Sequence, residues 1–206
     1  MVTLTEAAQP GTLIFGPINE PLSARILVRV GQWLLADRRA RLSYRRWRKI
    51  NHVLVCTGNG KAVQAMPRGA GEIELTAKHW TSDYVIVRPA YWVGQGVDVA
   101  EAARSYIGTP YGFLTYAALL VEHVLPGRQE RLAAYISSRK EMICSQLADQ
   151  ALSDAGFHVF DDGRLPQDIV PAELFRALLD PPGALYVIAD RSSSWMPGEW
   201  WNNGQK

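Results

Sequence analysis

Only two of the 206 residues are cysteine, Cys56 and Cys144. That excludes a disulfide-stapled scaffold and points to folding in a reducing compartment. Charge of one sign is also scarce. Lys and Arg number 22 against 20 Asp and Glu, a formal net charge of +2, which is not the whole-domain basic footprint of a nucleic-acid binder. Long apolar runs are missing. The longest patch, Tyr116–Leu125, is interrupted by Glu122 and His123 and is too short to span a bilayer. Met1–Pro10 has neither a basic start nor an apolar stretch, so no secretory leader is expected. The expectation is a protein cytoplasmic as synthesised, with release by lysis or packaging in a phage particle left open. The four histidines, His52, His79, His123 and His158, are scattered without ligand spacing, so neither a metal nor a cofactor is expected. There is no phosphate-binding glycine loop, no dinucleotide fingerprint beyond the fragment Gly94-Gln95-Gly96, and no Gly-x-Ser-x-Gly elbow.

What remains is an ordinary globular composition, 48% hydrophobic and 20% charged, long enough for one domain with a sizeable core. The most informative stretch surrounds Cys144. Apolar residues at 144, 147, 148, 151, 152 and 155 mark one face of an α-helix, and Gly156 follows where such a helix would end. Cys144 then occupies the first helical turn. Unpaired N–H groups and the positive end of the helix dipole favour a thiolate there, the nucleophilic form. The plainer reading is a small core residue, since Cys144 lies on the apolar face.

The second informative stretch is Asn51–Ala65. Val53-Leu54-Val55-Cys56 and Ala62-Val63-Gln64-Ala65 read as two strands around a Gly58-Asn59-Gly60 turn. His52 and Gln64 stand at the open ends. An odd-length loop would bring both side chains out on one face, and a two-residue loop would set them on opposite faces. On one face, an imidazole and a carboxamide would supply a base for Cys144 and a group to orient it.

Elsewhere, strands are expected at Gly11–Gly16, Ser82–Arg88 and Ala184–Ala189, and a strand or loop at Gly69–Leu75. Helices are expected at Leu22–Asp37, Val97–Ile107, Thr115–Leu125, Gln129–Arg139 and Pro171–Leu179, with a polar loop at Asp161–Pro171. Arg38–Lys49 holds seven basic residues in twelve, with Tyr44 and Trp47 among them. It reads first as a solvated helix end or loop, and otherwise as a contact for an anionic wall polymer or membrane surface. Residues 1–191 read as a single domain. Ser192–Lys206, with Trp195, Trp200 and Trp201, reads as a poorly ordered tail.

Four segments together carry a resemblance: Asn51-His52-Val53-Leu54-Val55, Val63-Gln64-Ala65-Met66-Pro67-Arg68-Gly69, Gly108-Thr109-Pro110-Tyr111-Gly112-Phe113 and Cys144-Ser145-Gln146-Leu147. In that order they resemble the circularly permuted branch of the NlpC-type papain-fold cysteine hydrolases, in which the histidine hairpin precedes the cysteine helix. Gly11–Gly16 is similar to the family's opening strand, with Thr12 where an acid often follows the glycine. The resemblance implies an α+β papain-like fold, a permuted antiparallel sheet or barrel packed on the helix that carries the nucleophile. It implies Cys144 as nucleophile, His52 as base and Gln64 as orienting residue, with Tyr111 and Ser145 beside the substrate and its oxyanion. The implied substrate is a peptide or peptidoglycan fragment. Catalytically silent binding modules, as in a virion, and lipid acyl-thioester enzymes remain the alternatives, because a fold does not choose among them.

Overall fold

The structure, a computed structural model, describes residues 8–17, 50–76, 79, 84–89, 94–112, 141–160, 169–179 and 185–189. The expected helices at Leu22–Asp37, Thr115–Leu125 and Gln129–Arg139, the basic run, most of the polar loop and the tryptophan-bearing tail lie outside these residues. Within them the chain is α+β. Its strands are β1 (Leu13–Gly16), β2 (His52–Gly58), β3 (Lys61–Met66), β4 (Gly69–Glu74), β5 (Val85–Pro89) and β6 (Leu185–Ala189). They form one six-stranded sheet in the order β4-β3-β2-β1-β5-β6, with every pairing antiparallel. The helices are α1 (Gly96–Ser105), α2 (Cys144–Asp154) and α3 (Pro171–Leu179). No helix among the described residues is long and apolar enough to cross a membrane.

Alternation along the strands divides the core by sheet face. Leu13, Phe15, Val53, Val55, Val63, Ala65, Val85 and Val87 point to the face that carries all three helices. Phe15 meets Phe175 of α3 edge-on at 5.1 Å. Truncating either ring to alanine would cost about 3–5 kcal/mol. Ile14, Leu54, Cys56, Ala62, Tyr84 and Ile86 form a second cluster on the opposite face.

The β2–β3 hairpin turns through two residues, Asn59 (φ 54°) and Gly60 (φ 72°), the paired left-handed conformation that asparagine and glycine tolerate best. By itself that turn would send His52 and Gln64 to opposite faces. A β-bulge at Thr57 prevents it. The register passes from Gly58↔Lys61 to Cys56↔Ala62, so the side chains of 52 and 64 emerge together. The bulge is pinned from outside the hairpin. The Thr57 carbonyl accepts from Arg104 Nη2 of α1 at 3.0 Å, and its hydroxyl donates to Glu72 Oε1 of β4 at 2.7 Å. Arg104 Nε also donates to Glu72 Oε1, at 3.1 Å.

Helix α2 begins at Cys144 with Ile143 as an N-cap that makes no side-chain bond. Its other end is closed by Gly156 (φ 87°). Gly156 N–H donates to Ser153 C=O and Phe157 N–H to Leu152 C=O, and Phe157 packs back on the core. The strand expected over Ser82–Arg88 is present at Val85–Pro89, with Ser82 and Asp83 outside the described residues; the helix expected to reach Ile107 ends at Ser105, where Tyr106 and Ile107 tighten into a turn.

Candidate functional site

His52 is the first residue of β2, pairs with Gly16 of β1 and is only 3% exposed. Its Nε2 lies 2.8 Å from Gln64 Oε1. A carbonyl oxygen only accepts, so Nε2 carries the proton and Nδ1 keeps its lone pair. Nδ1 is buried with no hydrogen-bond partner. Burial drives the imidazole down to about 4, the Gln64 bond pulls the other way, and His79 pushes it down further.

Cys144 is 4% exposed and packs with the helix-side core, whereas His52 and Gln64 emerge on the alternate face of the sheet. What joins them is the frayed end of the hairpin. Cys56 N–H donates to Thr12 C=O, so even-numbered residues of β2 direct their amides toward β1 and Val53 directs its own toward β3. The β2–β3 ladder stops at Val55↔Val63, two residues short of Val53. The Val53 amide instead donates to the Cys144 sulfur. The sulfur therefore lies at the level of the sheet where β2 and β3 separate, beside the peptide that joins His52 to Val53.

The helix start does not make this cysteine a thiolate at rest. Burial pushes the thiol up to about 11, outweighing the N–H groups of Val53, Ser145 and Cys144 itself. Both shifts favour the uncharged forms, a thiol and a neutral imidazole, at pH 7. The expected effect of the helix start is present but smaller than desolvation.

Tyr111 is distant from Cys144 in sequence but is brought to its approach strand. It forms a parallel bridge with Met142, with Met142 N–H to Pro110 C=O at 2.9 Å and Gly112 N–H to Met142 C=O at 3.1 Å. The same turn is tied to β4, Ala70 N–H donating to Thr109 C=O and Gly108 N–H to Ala70 C=O. Ser145 is placed otherwise than a substrate-facing hydroxyl would be. Its side chain is fully buried and its Oγ donates to Ile169 C=O at 2.5 Å, fastening the first turn of α2 to the lead-in of α3. Only its backbone N–H is turned to the sulfur. One residue on, Gln146 Oε1 is buried without a hydrogen-bond partner, an unused acceptor in the first turn.

His79 is engaged elsewhere. Its Nδ1 accepts from the Thr76 backbone N–H at 3.0 Å, and the Thr76 hydroxyl lies 3.2 Å away. Sequence reasoning missed the Val53 amide, because no residue type marks a strand residue whose partner strand has stopped. It also missed the bulge pin of Thr57, Glu72 and Arg104. Among the described residues no group of three or more His, Cys, Asp and Glu side chains could hold a metal ion. No protein-family model matches the chain, and no curated protein matches it in sequence.

Proposed function

We propose that this is a thiol hydrolase of papain-like, circularly permuted architecture, working through Cys144, His52 and Gln64. Within that class, the reading favoured is cleavage of amide bonds in peptide stems of bacterial cell wall, and that choice of substrate rests on the family resemblance. The observation that carries the chemistry is the bond from His52 Nε2 to Gln64 Oε1. It leaves Nδ1 bare and buried, one residue from the amide that contacts the Cys144 sulfur.

In this reaction Nδ1 reaches the sulfur around the end of the hairpin where β2 and β3 separate, and takes the thiol proton while sulfur bonds to the substrate carbonyl carbon. The backbone N–H of Cys144, at the helix start and turned toward the sulfur, receives the developing oxyanion. As the C–N bond breaks, Nδ1 returns the proton to the departing nitrogen. Water, deprotonated by the same Nδ1, then cleaves the thioester, releasing the acid and restoring the thiol. The neutral resting pair makes proton transfer uphill until a substrate supplies the carbonyl.

The second reading, a papain-fold module that holds a partner without turnover, is favoured by one observation: both reacting groups are almost entirely buried. Mass spectrometry of purified peptidoglycan fragments after incubation with wild type and with Cys144→Ala separates the two. Product from the wild type alone supports the hydrolase. Product from both proteins, or from neither, contradicts it.

A further inference from the structure

On the reading of His52 as the base, we infer that Tyr84 and His79 are positioning residues, forming an aromatic wall that holds the His52 ring against Gln64 and keeps water from that bond. Register puts them there. Gly16 pairs with His52 and Phe15 with Val85, so the next step sets Tyr84 across from Gly16. Tyr84, Gly16 and His52 thus form a row over three strands on the face away from the helices. Gly16 contributes no side chain to that row, and the Tyr84 ring lies over it. A Cβ at position 16 would fall 2.2 Å from Tyr84 Cδ1 and 2.5 Å from Cε1. The Tyr84 hydroxyl donates to Pro17 C=O at 3.4 Å, holding the ring across the strand end.

His79 closes the wall from behind. Its ring meets Tyr84 edge-on, centroids 5.8 Å apart at 64°, and both side chains are buried. The Thr76 N–H fixes His79 with its proton on Nε2. His79 is also close enough to oppose positive charge on His52. The groups that face His52 are then the neutral carboxamide of Gln64, His79 and Tyr84, with the Cys144 thiol beside the following peptide. Neither wall residue touches the reacting sulfur. Both act through His52, by limiting where its ring can turn and how much water reaches it.

The test reads His52 directly. Its imidazole is titrated by NMR in the full chain carrying Cys144→Ala, with Tyr84→Leu, His79→Gln and Tyr84→Phe added singly. Alkylation of Cys144 against pH is followed in the same variants with the cysteine restored. The His52 midpoint is expected to rise from about 4 toward 6.5 in Tyr84→Leu and His79→Gln, with a matching shift in the alkylation profile. Tyr84→Phe, which keeps the ring, is expected to leave both unchanged. His79→Gln keeps the wall testable if Tyr84→Leu does not fold. Unchanged midpoints in both Tyr84→Leu and His79→Gln overturn the inference, even where alkylation still depends on His52. Shifted midpoints in a protein whose Cys144 stays inert uphold the wall and overturn the proposed function instead.

Discussion

The molecule carries two buried cysteines, and they are alike in every respect that burial controls. Cys56 is fully enclosed in the middle of β2, and its thiol is pushed up to about 12. Cys144 is nearly as enclosed, and its thiol is pushed up to about 11. The difference lies in what faces each sulfur. Cys56 pairs with Ala62 of β3, exchanges backbone hydrogen bonds with Thr12 and Gly11, and feels only the charge of Arg88. Cys144 has three backbone N–H groups directed at it and stands beside the peptide of a histidine whose Nδ1 is bare. Burial alone therefore does not separate the two cysteines; the role proposed for Cys144 rests on the N–H groups turned to its sulfur and on the bare Nδ1 of His52.

The comparison breaks most completely if the base is removed. His52→Ala is expected to lower the alkylation rate of Cys144 by about 10²–10⁴-fold, the range for loss of a positioned base, and to leave Cys56 as inert as before. A quantitative thiol-labelling time course by mass spectrometry checks this. The next effect belongs to the orienting group. Gln64→Ala is expected to slow Cys144 by about 10-fold or more, since the ring then loses the bond that fixes its tautomer. Gln64→Glu is expected to raise the His52 midpoint, because a carboxylate favours the charged imidazole.

Ser145 sharpens the contrast from the structural side. Ser145→Ala leaves the Ile169 carbonyl unpaired and is expected to cost about 1–3 kcal/mol in denaturant unfolding, with Cys144 reactivity retained. Loss of reactivity without loss of stability would return the hydroxyl to the reaction. The smallest mutational effect is expected at the bulge pin. Arg104 is partly exposed, so Arg104→Ala should cost on the order of 1 kcal/mol, yet it should loosen the His52–Gln64 pairing detectably by NMR.

The pKa directions set a pH window for stability. His52 is depressed, so its contribution is whole above 6.5 and is lost as pH falls toward about 4. Cys144 is raised, so its contribution is whole below 9.0 and is lost as pH rises toward about 11. Thermal unfolding should therefore be most resistant between those limits, and His52→Gln should flatten the acid side. An unchanged acid slope in that variant would contradict the burial of a neutral imidazole.

Much of this was legible in residue order. The period of the Cys144 stretch and Gly156 defined α2 almost to its ends, because an apolar stripe and a terminal glycine are local signals. The hairpin was legible for the same reason, and so was the rule linking loop length to side-chain face. Its outcome was not, because it depended on Thr57, whose bulge is held by Glu72 and Arg104 from other elements. The charge state of Cys144 was misread because dipole and backbone donors can be read from a helix start, whereas burial depends on chains that are remote in sequence. The link between Tyr111 and the cysteine was carried only by the resemblance. The Met142 bridge is a tertiary contact that spacing cannot reveal.

The most direct test compares the two cysteines in one tube. Wild type and His52→Ala are treated with iodoacetamide near neutral pH, and each cysteine is quantified separately over time. The account predicts modification of Cys144 alone in the wild type and its suppression in the variant. Equal, slow labelling of Cys56 and Cys144, unchanged by the loss of the imidazole, would contradict it.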